Sequence, residues 1–269
     1  VDATSGADAL EYFGGLAAAI TGEHIQLGDD FVYTRREPLG VCVGIGAWNY
    51  PTQIACWKSA PALAAGNAFI LKPSEMTPYT ANAIAEILHK AGMPAGLFQV
   101  VHGDYSVGQA LCEHPQIAKI SLTGGVETGR KIMAQSAATL KKVTLELGGK
   151  APLIVFADSD FDLAVQTALD ANFYTAGEVC SNATRVFVED IIADKFIAAL
   201  VEKTQKLKIG DPMSADTQIG AIISENHLEK ILSYIEIGKS EGAKLLTGGI
   251  RQYPIGCEGG YFISPAIFA

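Results

Sequence analysis

Cys180 lies in GEVCSNATRVFV, between a helical pattern and a strand-like run, with the polar Ser181 and Asn182 beside it. A cysteine in a core serves as a small hydrophobe. A loop thiol with polar neighbours is placed to attack an electrophile, given a lowered pKa or a base within reach. The five histidines (His24, His89, His102, His114, His227) fall in helices, turns and surface contexts, and none stands out as that base. Glu146 in TLELGG is the better candidate, a carboxylate closing an apolar strand ahead of two glycines that let a ligand approach. Burial there would raise its pKa towards the range useful for a general base. The plainer reading is a hydrogen-bonded structural carboxylate. Asn49, in WNYP, ends another apolar run. Its amide could donate to a developing oxyanion, and its plainer reading is a turn asparagine.

Other segments carry ligand-binding chemistry. Gly44-Ile45-Gly46 is a GxG, with Asn49 where the third glycine of a dinucleotide fingerprint belongs. TGGVETGR lacks the Lys-Ser/Thr of a P-loop, yet Gly125, Val126, Glu127 and Thr128 fall between a strand and a helix. There, backbone N–H groups and the helix dipole would meet a pyrophosphate. KPSE (Lys72, Pro73, Ser74, Glu75) follows the second strand of the same series. A carboxylate at that point accepts from ribose hydroxyls and repels a 2′-phosphate, whereas Lys72 would attract one. Its plainer reading is a turn capped by Ser74. Trp48, Tyr50 and Trp57 cluster within ten residues, and Tyr174 precedes Cys180 by six. Such rings fill cores by default; lining a cavity, they hold a cation over their faces.

These residues need a frame. Apolar runs at 41–45, 68–71, 98–101, 119–122 and 143–145 read as buried strands, with helical patterns at about 53–65, 77–91, 107–114 and 129–138 between them. That alternation predicts an α/β fold with a Rossmann-like parallel sheet and helices on both faces. Ligands then bind beyond the carboxyl ends of the strands, where GAWNYP, KPSE, HGDYSVG, TGGVETG and ELGGK lie. Ahead of the sheet, residues 6–20 read as a helix and FVYTRR (31–36) as an extended arm, which could be a hairpin with an exposed edge on which another subunit docks. After Lys150 the alternation restarts. APLIVFA is a strand, a helix follows over 160–176 with Asp158 or Ser159 as its cap, RVFVE is a strand, and further helices run over 192–207 and 224–241. The expected division is 1–147, a cofactor-binding domain with its helix and arm, and 148–269, a second α/β domain.

Composition narrows the function. With 269 residues, 49% hydrophobic and 18% charged, the chain is globular rather than disordered. Its net charge of −9 argues against nucleic acid or an anionic membrane as partner. No uninterrupted apolar run is long enough to span a bilayer. The five cysteines (Cys42, Cys56, Cys112, Cys180, Cys257) form no pair or metal-ligand cluster. They read as reduced thiols of a cytoplasmic protein without a metal.

GAWNYP, WKSAPALAAGN, KPSE, TGGVxTG, ELGGK and GxVCSN-x-TR stand in the order and spacing of the NAD(P)-dependent aldehyde dehydrogenase superfamily, which the whole chain resembles. Cys180 follows Glu146 by 34 residues and Asn49 by 131. EHIQL and YTRREPLGVCVGIGAWNYP look like the betaine aldehyde dehydrogenase branch, which includes a relative acting on trimethylaminobutyraldehyde. The resemblance implies that Cys180 is the nucleophile and Glu146 the general base. The Asn49 amide and the Cys180 N–H form the oxyanion hole, and Lys58 belongs to a proton relay. Gly46, Ala47 and Trp48, Lys72 to Glu75, and Gly125 to Thr128 contact NAD, with NADP the alternative. Tyr50, Trp57 and Tyr174 form an aromatic box for trimethylammonium. It further implies a betaine aldehyde substrate, a homodimer or homotetramer, and a chain that is the central portion of a longer enzyme. Three residues depart from the pattern: Glu178 stands where Gln is usual, Ala183 for Gly and Ala221 for Pro. A carboxylate two residues from Cys180 would oppose thiolate formation. Two competing readings are a broader-specificity aldehyde dehydrogenase and an impaired dinucleotide-binding relative.

Overall fold

The computed structural model describes residues 1–269. The chain divides into two compact units, Val1–Leu147 and Gly148–Ala269. No helix is long and apolar enough to cross a membrane.

The first unit opens with α1 (Asp2–Leu16) and a 3-10 turn at Ala17–Ala19. A hairpin follows, β1 (His24–Leu27) antiparallel to β2 (Asp30–Tyr33). Gly28, at φ +65°, supplies the left-handed backbone that so short a turn requires. Both strands are exposed along their length. The arm expected at 31–36 is the hairpin's second strand, as the hairpin reading allows, and it ends at Tyr33.

Next come β3 (Val41–Ile45), α2 (Pro51–Ala64), β4 (Ala68–Lys72), α3 (Tyr79–Lys90), β5 (Phe98–Val100), α4 (Tyr105–Glu113), β6 (Ile117–Gly124), α5 (Val126–Ala137) and β7 (Lys142–Leu147). The five strands are parallel in the order β5-β4-β3-β6-β7. β3 pairs with both β4 and β6, so the strand order reverses beside it. Open α/β sheets bind ligands at such a point.

The two faces of this sheet differ. On one, Val43, Ile120 and Leu122 are buried with Ile132 of α5 and Cys112 of α4. On the other, Cys42, Phe69 and Leu71 pack with Ala55 and Cys56 of α2 and Ala81 and Ile84 of α3. Towards β7 this second face turns polar. Register places Lys119, Ser121 and Thr123 of β6 beside Lys142, Thr144 and Glu146 of β7. These strands were expected to be plain apolar runs. They alternate instead, in K-I-S-L-T and K-V-T-L-E, a pattern that strands buried on both faces do not show. Gly44 lets α2 and β4 crowd this face, since a Cβ there would lie 2.5 Å from the Phe69 ring.

The second unit contains β8 (Pro152–Val155), α6 (Phe161–Phe173), a 3-10 turn at Tyr174–Gly177, β9 (Arg185–Val188), α7 (Asp190–Gln205), α8 (Glu225–Ser240), β10 (Leu245–Thr247), β11 (Arg251–Gln252), β12 (Phe262–Ile263) and β13 (Ile267–Phe268). Its strands pair only in twos: β8 with β9 in parallel, β10 with β13 and β11 with β12 antiparallel. Val155, Val165, Leu169, Phe196 and Leu200 form one core. Ile222, Leu228, Ile235 and Ile263 form another. Asp160, rather than Asp158 or Ser159, caps α6, its carboxylate accepting from Leu163 N at 3.0 Å. The helix ends at Phe173 instead of running to 176, because Thr175 and Ala176 both adopt φ +52°. α7 likewise stops at Gln205, two residues short of the expected end at 207.

Candidate active site

The strand-order reversal opens a groove of about 460 Å³ beyond the carboxyl ends of β3, β4 and β6. Gly46, Ala47 and Trp48 line it from β3, Lys72, Ser74 and Glu75 from β4, and Thr128 from α5. Seven of the residues expected to contact a dinucleotide thus share one cavity. Pro73, Gly125, Val126 and Glu127 are chain neighbours of its lining. Gly125 is the N-cap of α5 and makes no side-chain cap bond, so the first amides of that helix keep their N–H groups for a ligand. Glu127, in that first turn, is held by Arg130 at 2.8 Å. The shape and the donors fit a dinucleotide.

Lys72 is buried, and its ammonium donates to Pro73 O at 2.9 Å and lies 3.6 Å from the Glu75 carboxylate. It is a partnered cation, not a free one awaiting a 2′-phosphate. Ser74 behaves as the turn reading expects, its hydroxyl accepting from Met76 N. The α4 residues Tyr105, Gly108, Gln109 and Cys112, and Lys131 and Gln135 of α5, complete the groove. Tyr105 and Gly108 fall in the HGDYSVG loop expected to face the ligand, whereas Gln109, Cys112, Lys131 and Gln135 were not assigned to the groove. The helical spacing of 105, 108, 109 and 112 was the available signal.

The opposite face of the sheet holds a second group. Lys58 projects from α2 and is buried, its Nζ donating to Ser121 Oγ at 3.0 Å. Burial lowers its pKa to about 8, with Glu146 acting the other way and Lys119 reinforcing the shift. Lys119 donates to Thr144 Oγ1 at 2.7 Å. Glu146 sits on this face beside Thr123. Its side chain is exposed, so the burial expected to tune it is not found. A cavity of about 380 Å³ joins Trp57, Lys58, Lys119, Ser121 and Thr144. Lys119, Ser121 and Thr144 went unnoticed, although the period-2 pattern of β6 and β7 pointed to them.

Asn49 and Tyr50 occupy the turn between β3 and α2. Pro51 begins the helix without needing a donor. Asp2 of α1 caps it from afar, accepting from Thr52 N at 3.1 Å and Gln53 N at 2.7 Å. The entry to α2, and with it Asn49, is thereby fixed. Tyr50 and Trp57 lie two turns apart on one side of α2, and Trp57 Nε1 donates to Ser5 Oγ. Tyr174 closes α6 in the second unit and is exposed.

Cys180 lies in the turn between α6 and β9 and is exposed. Cys42, Cys56 and Cys112 are buried, and burial pushes the thiols of Cys56 and Cys112 up to about 11. Such thiols stay protonated and sheltered. Glu178 does not serve simply as a like charge beside Cys180. Its carboxylate accepts from Ile223 N at 3.3 Å and lies 3.7 Å from His227 Nε2.

Comparison with known proteins bears on this arrangement. The profile of the aldehyde dehydrogenase family matches residues 1–269. A betaine aldehyde dehydrogenase of Vibrio vulnificus is 58% identical over all of this chain, which covers 55% of that relative. Betaine aldehyde dehydrogenase from Staphylococcus aureus, solved in complex with NAD+, superposes with a TM-score of 0.96 at 40% identity, over 99% of this chain and 54% of that one. For an aldehyde dehydrogenase structure from Burkholderia cenocepacia, described as putative, the values are 0.97 and 38%, over 100% and 55%. The chain therefore spans about half the length of the proteins it matches.

Proposed function

Since the chain belongs to the aldehyde dehydrogenase family, we propose that it carries the NAD-binding and thiol-bearing portion of an enzyme that oxidises betaine aldehyde to glycine betaine. The observation that carries this reading is the groove at the strand-order reversal, lined by Gly46–Trp48, Lys72, Ser74, Glu75 and Thr128. The 58% identity to betaine aldehyde dehydrogenases supports the substrate.

In this reading NAD sits in the groove and, when bound, supplies the hydride acceptor. Gly46 lets its backbone come close, the α5 amides take the pyrophosphate, and exposed Glu75 at the lip accepts from ribose hydroxyls. Glu75 also favours NAD over NADP, since a 2′-phosphate would meet its charge and find Lys72 already partnered.

The Cys180 thiolate adds to the aldehyde carbon, making it tetrahedral and electron-rich, and the Asn49 amide with the Cys180 N–H stabilises the alkoxide. Loss of hydride leaves a thioester on Cys180. Glu146 takes a proton from a water, which hydrolyses the thioester and frees the thiol. Lys58, with a pKa brought down to about 8 and an electrostatic link to Glu146, can accept and return a proton near neutral pH. Tyr50, Trp57 and Tyr174 offer aromatic faces to the trimethylammonium group. The exposed β1–β2 hairpin offers a docking edge to a second subunit.

The test is a comparison of kcat/KM for betaine aldehyde and an uncharged isostere in the full-length enzyme, with Glu146→Gln alongside. The expected results are a preference for the cation and, in the variant, acylation without hydrolysis. Equal kcat/KM for the two aldehydes would favour the broader-specificity reading; near-normal steady-state turnover by the variant would remove Glu146 from its role.

A further inference from the structure

Two polar side chains bracket Cys180, two residues before it and two after, and both are tied to the structure around the turn. Glu178 reaches the approach to α8, where Ile223 N donates to its carboxylate and His227, in the first helical turn, faces it at 3.7 Å. Ser224 caps that helix end by accepting from His227 N, so the anchor is itself ordered. On the other side Asn182 is buried. Its amide donates to Asn172 O at 3.1 Å and Gly177 O at 2.9 Å. Just ahead of Glu178 the backbone passes through Thr175, Ala176 and Gly177 at φ +52°, +52° and +77°. For Thr and Ala this left-handed conformation is costly, and surrounding bonds must hold it.

We propose that Glu178 and Asn182 are positioning residues for Cys180, pinning the thiol-bearing turn to the N-terminus of α8 on one side and to the end of α6 on the other. The proposal rests on Cys180 being the nucleophile. It deepens that reading by giving the Glu178 departure a role. The carboxylate two residues from the thiol is a tether whose charge the Ile223 amide and the positive end of a helix offset in part.

The tether is titratable. Burial pushes the Glu178 carboxyl up to about 7, against the Ile223 hydrogen bond, which favours the anion. From α8 it faces His227, whose pKa is lowered by burial and by Lys230 one turn along. On its own segment the nearest titratable group is Cys180. Glu178 therefore gains charge near neutrality and changes its hold on the turn there.

The experiment measures the rate of Cys180 alkylation by iodoacetamide, followed by peptide mass mapping, on the intact chain between about pH 6 and 9. For the parent, the profile is expected to show a second inflection near neutrality besides the thiol's own titration. Glu178→Gln keeps the acceptor for Ile223 N and should lose that inflection, while His227→Asn leaves Glu178 in place and should retain it. Asn182→Ala should change the rate by about threefold or more across the whole range, without moving the inflection. A Glu178→Gln profile superimposed on the parent's, or an Asn182→Ala rate equal to it, overturns the proposal. The nucleophile reading fails by a different result, retained turnover in Cys180→Ala, which the alkylation profile does not touch.

Discussion

The two units solve different problems with the same kinds of element. In the first, five parallel strands share one sheet with helices on both faces, and the strand-order reversal makes a groove by topology alone. In the second, strands pair only in twos, so each pair keeps open edges, and Ile154, Phe156 and Phe187 leave apolar side chains exposed around β8 and β9. The groove residues need little beyond the sheet to be in place. Cys180, by contrast, is held by particular bonds across a strained turn, from Glu178 and Asn182. In the proposed reading, the cofactor groove comes from topology, whereas the reactive thiol takes local ties.

The largest effect that would separate the units is on turnover. In the full-length enzyme Cys180→Ala should lower kcat by roughly 10³-fold or more while leaving the NAD dissociation constant within about twofold. A matching loss of NAD affinity would mean that the units do not divide the work. Next, Leu71→Ala, in the buried sheet core, should cost about 2–5 kcal/mol in denaturant unfolding. Ile154→Ala, at an exposed position of the second unit, should cost under about 0.5 kcal/mol.

Lys58 of the first unit and Glu178 of the second respond to pH in opposite directions. Glu178 has its carboxyl pKa raised from 4.5 to about 7, so its contribution to stability is complete below pH 4.5 and is lost as pH rises through 7. Glu178→Gln should therefore stabilise the protein by on the order of 3 kcal/mol well above pH 7 and hardly at all near pH 4. Lys58 has its pKa lowered from 10.5 to about 8, so its ionisation opposes folding below pH 8 and ceases to do so as pH climbs towards 10.5. Urea melts of Lys58→Met against the parent should accordingly differ more at pH 7 than at pH 10. A smaller catalytic effect concerns cofactor choice. Removing the negative charge with Glu75→Gln should move the NAD-to-NADP ratio of kcat/KM towards NADP by roughly tenfold, about 1.4 kcal/mol. An unchanged ratio would take Glu75 away from the ribose.

Much of this was legible in the sequence because it depends on spacing and period. The alternation of apolar runs and helical patterns gave the parallel sheet, and the loops after the strands held the groove residues. What the sequence hid was contact across distance. Asp2 caps α2 from some fifty residues away. Asp160 caps α6 where Asp158 and Ser159 are equally good caps by type. Glu146 closes an apolar strand and still lies exposed, because the strand's second face is polar. Glu178 read as a charge opposing Cys180 until its partner, 45 residues on, was visible. The K-I-S-L-T alternation of β6 carries the polar face in its period, which apolar content alone does not reveal.

The central claim is that Cys180 becomes acylated during aldehyde oxidation. The direct measurement uses the Glu146→Gln full-length enzyme, mixed with NAD and betaine aldehyde, quenched in acid and mapped by peptide mass. The account predicts a trimethylammonioacetyl adduct on the peptide containing Cys180 and none when NAD is omitted. An adduct on another cysteine, or NADH formed with no adduct at all, would contradict it.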